Sequence, residues 1–167
     1  MEALGRLFDV AMVAPPAATN GAVTGVPVSL ENASGCTFLI IGGVASAGDD
    51  VQFDLQEIDG AAGTPQDLDI VDHCYYKSAV TMDNTETWTK FTQTTAASEV
   101  DLGDASTTDI QQNIVAVYVG AEDLSDGYTH VTLNIPDLGA GDKTLTCIAI
   151  LHDLYVKRTP SNLAAVN

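Results

Sequence analysis

The stretch VQFDLQEI, residues 51–58, decides the fold. Val51, Phe53 and Leu55 fall on one side of an extended chain, and Gln52, Asp54 and Gln56 on the other. A period of two marks a half-buried strand, with one face in a core and one in water. YTHVTLNI (128–135) repeats the pattern: Val131, Leu133 and Ile135 point one way, and Tyr128, His130, Thr132 and Asn134 the other. Working outward, CTFLIIGGV (36–44) and IVAVYVG (114–120) are apolar runs, and TLTCIAILHDLYV (144–156) is the longest. Val26, Val28 and Leu30 alternate; DLDIVDHCYYK (67–77) does so less cleanly, and TETWTKFTQ (85–93) is rich in Thr and aromatics. β-Branched and aromatic residues suit a pleated, half-buried surface. Turn chemistry separates the runs: Asn32 to Gly35, Gly48-Asp49-Asp50, Asp59-Gly60, Gly63-Thr64-Pro65, Asp126-Gly127 and Pro136 to Gly141. Helical periodicity appears nowhere at length, and residues 121–125 are expected to form a single turn. Eight strands from residue 26 onward predict an all-β protein, a jelly-roll-like antiparallel β-sandwich.

Residues 1–25 read differently. LFDVAM suits a strand or a short helix, but Pro15, Pro16, Ala17, Ala18, Thr19, Asn20 and Gly21 follow it. Small residues with Pro and Gly make an extended connector, so this segment is expected to be an N-terminal arm. The sandwich is expected over 26–158 and a tail over 159–167.

The chain has 23 acidic and six basic residues, a net charge of −17, while 46% of its residues are hydrophobic. A disordered acidic chain lacks such an apolar complement, so this is a folded domain with a negative skin. Such charge argues against nucleic acid and against an anionic membrane as partners, since no basic stripe is present to meet phosphates. Between Arg6 and Lys77 there is no basic residue. The N-terminus lacks the basic start and clean apolar stretch of a signal peptide, which predicts a cytoplasm-made protein.

Motifs for chemistry are sparse. Acidic clusters occur at Asp67, Asp69 and Asp72 beside His73, at Asp49, Asp50 and Asp54, and at Glu122, Asp123 and Asp126. The first could offer oxygen ligands to calcium, but its spacing is not that of an EF-hand. His73, His130 and His152 show no HxH or HExxH spacing, and no GxSxG, GxxxxGK[ST] or GxGxxG occurs. Cys36, Cys74 and Cys147 are far apart and set in apolar runs, as small buried hydrophobes would be. The expectation is a non-enzyme with no catalytic residues, no metal site and no cofactor. Attention moves to surfaces: Trp88, a good interface anchor; the doublet Lys157-Arg158; and Leu7 and Phe8 in the arm.

Four stretches resemble capsid decoration, or cement, proteins of tailed bacteriophages: AEDLSDGYTHVTLNIPD (121–137), LTCIAILHDLYVKRTP (145–160), DIVDHCYYKSA (69–79) and TETWTKFTQTTAAS (85–98). The similarity runs from about residue 26 to the C-terminus and contains no catalytic motif. It implies a jelly-roll sandwich, often trimeric, bound to the major capsid protein on the outer surface of the virion. The alternatives are another head or tail component of a phage, or a non-catalytic module that binds carbohydrate or calcium.

Overall fold

The computed structural model describes residues 3–18, 21–46, 48–103, 111–138 and 143–166. Among the described residues eleven strands form two antiparallel sheets. The strands are β1 (Phe8–Ala18), β2 (Val28–Ser29), β3 (Gly35–Gly42), β4 (Gln52–Ile58), β5 (Gln66–Asp67), β6 (Val71–Ala79), β7 (Thr89–Ala97), β8 (Glu99–Asp101), β9 (Gln112–Gly120), β10 (His130–Asn134) and β11 (Thr144–His152). One sheet runs β1-β11-β3-β9-β6-β7. The other runs β2-β10-β4-β5, with β8 also on β4.

The pairings explain the sandwich. β1 pairs with β11, β2 with β10, β3 with β9 and β4 with β8. The chain is thus one long hairpin, outgoing through β1–β4 and returning through β8–β11, whose successive pairs alternate between sheets. This is the jelly-roll plan. Strands β5 to β7 are an insertion at the hairpin's tip. They add β6 and β7 to the six-stranded sheet beyond β9 and lay β5 along β4.

The core lies between the sheets. Cys36, Phe38 and Ile40 of β3, Val115, Val117 and Val119 of β9, and Leu145, Cys147, Ala149 and Leu151 of β11 point inward. They meet Phe53 and Leu55 of β4, Val131 and Leu133 of β10 and Val100 of β8. Each Val, Leu, Ile or Phe among them stabilises the fold by about 1.5–3 kcal/mol if fully buried. All three cysteines are free and buried in this layer. Burial pushes the Cys74 and Cys147 thiols up to about 12. Burial pushes Cys36 up as well, with Cys147 adding to the effect.

Two expectations need correction. Residues 8–18 are no arm: they form β1, the outer strand of the six-stranded sheet, so the sandwich begins well before residue 26. Proline is tolerated on an edge strand, and register shifts at Met12/Ala14 and Ala14/Ala17 absorb Pro15 and Pro16. Secondly, the polar side of β10 is not wet. His130 and Thr132 are buried. The segment after β1 passes close by: Gly25 donates from its backbone N–H to Asn134 Oδ1. A Cβ at Gly25 would stand 2.3 Å from the Leu133 carbonyl oxygen, so only glycine permits this approach. The C-terminal tail packs back on the sandwich. Residues 160–162 form a 3-10 turn, and the Ser29 N–H donates to the Val166 carbonyl at 2.7 Å. The single turn expected after β9 is present as a 3-10 turn, Ala121–Asp123, with Asp123 Oδ2 accepting from the Gly120 N–H.

Candidate functional site

The two sheets carry unlike outer faces. On the five-stranded sheet, β4 turns Gln52, Asp54 and Gln56 outward, opposite Asp101, Glu99 and Asp67. Gln52 and Gln56 donate side-chain amides to Asp101 and Asp67 at 3.2 and 3.3 Å. Asp54 faces Glu99 directly. Its carboxyl titrates above the usual aspartate range, first through burial, with the charges of Asp67 and Glu99 adding and bonds to Ser98 and Asn134 opposing. Glu57, on the inward side of β4, is 1% exposed. It accepts from the Ser125 N–H at 2.7 Å and from Gln66 Nε2 at 2.6 Å. Burial alone would raise its pKa, but these bonds outweigh it and hold the carboxyl below its ordinary range.

The six-stranded sheet is the reverse. Strands β3, β9 and β11 contain no Asp, Glu, Lys or Arg. Their alternate residues still point away from the core. Register aligns them into rows across the sheet: Val10, Ile150, Thr37 and Tyr118; then Met12, Ile148, Leu39, Ala116, Tyr75 and Lys90; then Thr146, Ile41, Ile114 and Lys77. Met12 and Tyr118 are each 53% exposed, Val10 44%, Tyr75 42% and Ile41 40%. At the row's lower end Tyr118 stacks on His152 with ring centroids 5.5 Å apart. Gly35 makes room for this, because a Cβ there would stand 2.9 Å from the Tyr118 hydroxyl. Contiguous apolar patches on folded domains commonly mark contact surfaces.

Basic residues sit at two diagonal corners of that face. At the lower end of β1, Leu7 accepts from the Asp153 N–H and Gly5 from the Arg158 N–H. These bonds bring residues 5–7 beside residues 153–158, and Asp9, Glu31, Val156 and Arg158 line a pocket there. Leu7 is 60% exposed and Tyr155 65%. At the upper end of β6 and β7, Lys77 Nζ stands 5.0 Å from the centre of the Trp88 ring, and Lys90 pairs with Tyr75. Trp88 precedes β7 rather than lying within it, and is 47% exposed. The loop that presents it is held by Glu86, which accepts from the Asp83 and Asn84 N–H groups, and by Asp83, which accepts from Thr85. Bonds from Thr85 hold the Asp83 carboxyl below its usual range.

The structure therefore gathers Leu7, Phe8, Lys157 and Arg158 at one corner and sets Trp88 at the other. The acidic clusters do not converge. Asp69 accepts from the Ser98 N–H, Asp72 bonds His73, and Asp67 accepts from Gln56. Among the described residues no group of three or more His, Cys, Asp or Glu is arranged to hold a metal ion. The histidines are separate: His130 bonds Thr129 Oγ1 and His152 bonds Thr37 Oγ1. The apolar rows escaped the sequence reading. Their signal was present, since uninterrupted apolar strands imply that both sides are covered, yet here one side is open.

No protein-family model matches the chain, and no curated protein matches it. Among solved structures it is similar to the SPBc2 prophage-derived protein YomS, at 10% identity and a TM-score of 0.30, over 86% of this chain and 92% of that one.

Proposed function

We propose that the protein is a virion structural protein that binds the outer surface of a phage capsid and stabilises it. The observation that carries this reading is the corner of Arg6, Leu7, Phe8, Tyr155, Val156, Lys157 and Arg158. Three of the chain's six basic residues meet exposed apolar side chains there, in a chain of net charge −17. Here the bases offset the neighbouring Asp9, Glu31 and Asp153, so repulsion toward another protein is less than over the acidic sheet. The sequence resemblance supplies the partner, the major capsid protein. The acidic sheet then faces solvent and keeps particles apart. Stabilisation follows mass action, because a protein that binds only the closed shell shifts its opening equilibrium.

The test is co-sedimentation with expanded shells. The wild-type protein should pellet with shells and raise the temperature at which they open. Lys157→Glu with Arg158→Glu should weaken that binding. If the protein stays in the supernatant, and shells lacking it withstand heat equally well, the reading is wrong. A cryo-EM map that placed it in the tail would instead favour a tail component.

A further inference from the structure

We infer that a second copy of this chain packs on the acid-free face of the six-stranded sheet. The face is the right size. Five inter-strand spacings of about 4.8 Å, and strands of nine residues rising about 3.4 Å each, give an area on the order of 700 Å². A stable interface buries about 800 Å² per partner. The chemistry is also right. The centre, Met12, Leu39, Ile41, Ile114, Ile148 and Ile150, is aliphatic and demands no opposite charge from its partner.

Electrostatics favours self-association here over any other face. Two chains of charge −17 repel each other, and contact through the five-stranded sheet would press Asp54, Asp67, Glu99 and Asp101 against carboxylates. Across the six-stranded sheet the strands carry only Asp9 and Asp72. The acids at the rim, Glu122, Asp123 and Asp153, reach Tyr118 at the lower end of the face, so the contact centres on the aliphatic rows rather than on the corners.

The experiment is sedimentation of the purified full chain, without capsids, at several concentrations and at low and high salt. The wild type should sediment above its 17.4 kDa monomer mass. Ile148→Asp with Leu39→Asp should raise the dissociation constant by about 100-fold or more, since a buried unpaired charge is among the costliest interface changes. Circular dichroism confirms that the variant is folded. Met12→Lys with Tyr118→Lys, at more exposed positions, gives a second route should the first variant unfold. A wild type that is monomeric throughout, or an oligomer that both variants leave intact, overturns the proposal. So does a monomer whose capsid binding is lost in these variants, because the face then belongs to the capsid.

Discussion

The wrapped hairpin and the insertion at its tip are built to different standards. In the hairpin, β3, β9 and β11 pair without a break over eight or nine residues, and every second side chain is buried. In the insertion, β5 has two residues, β7 is mostly exposed, and the β6–β7 register shifts between Val71 and His73. Both belong to the same sandwich, yet only the hairpin is needed to close it. The contrast teaches where stability resides and where the molecule can yield.

The sharpest test is a pair of truncations. Phe38→Ala in β3, fully buried, should cost about 3–5 kcal/mol in denaturant unfolding. Phe91→Ala in β7, half-buried over the same core, should cost less than half as much. Equal costs would erase the distinction.

Next comes the bond that ties the two regions. Glu57 in the hairpin accepts from Gln66 of the insertion and from the Ser125 N–H. Glu57→Gln turns a donor toward donors and should cost about 1–3 kcal/mol. It should also change the pH profile. The folded-state pKa of Glu57 is lowered, so its contribution is full above the ordinary glutamate range and is lost as pH falls through the folded value. The variant should show a flatter acid limb; an unchanged limb would mean that the carboxylate is not what couples them.

Thiol labelling compares local opening. Burial raises Cys74 and Cys147 alike to about 12, so neither reacts from the closed state. Cys74 lies on β6 in the insertion, and Cys147 on β11. Cys74 should label at least about tenfold faster, a difference of about 1.4 kcal/mol in opening free energy. Matched rates would make the two regions one cooperative unit.

The smallest effect concerns the acidic flank of the hairpin. Asp54→Asn removes a charge facing Glu99. The pKa of Asp54 is raised in the fold, so its cost applies at neutral pH and is relieved as pH falls through the folded value. The variant should gain a few tenths of a kcal/mol near neutrality, less at high salt. A loss of stability would show that its bonds to Ser98 and Asn134 outweigh the repulsion.

Much of the hairpin was legible in the sequence. Alternation in residues 51–58 and the apolar runs around Phe38, Val117 and Ile148 locate its long strands, because burial against a single core imposes the period. β1 was hidden by Pro15 and Pro16, which forbid a central strand but not an edge. β5 and β8 are too short to show a period. That Trp88 and Phe91 alternate along the chain followed from the period, though not which of them is exposed. The cationic corner did not, because residues 5–8 and 153–158 meet only through backbone hydrogen bonds that no side-chain pattern encodes. The open apolar face was invisible for a related reason. Sequence shows that Leu39, Ile114 and Ile148 are apolar; only the number of layers shows that nothing among the described residues covers them.

The pairing of β1 with β11 also sets a schedule. β11 lies between β1 and β3, so a strand made late occupies the middle of the sheet. At about 5–20 residues per second, roughly 7–27 s of synthesis separate the end of β1 from the end of β11. Through that interval β1 and β3 have no neighbour to bridge them, and the apolar face does not exist as a surface. Contacts so distant in sequence also close slowly. When about two-thirds of this chain has been made, both neighbours of β3 in the sheet, β9 and β11, are still to come, and the apolar rows have no platform to stand on.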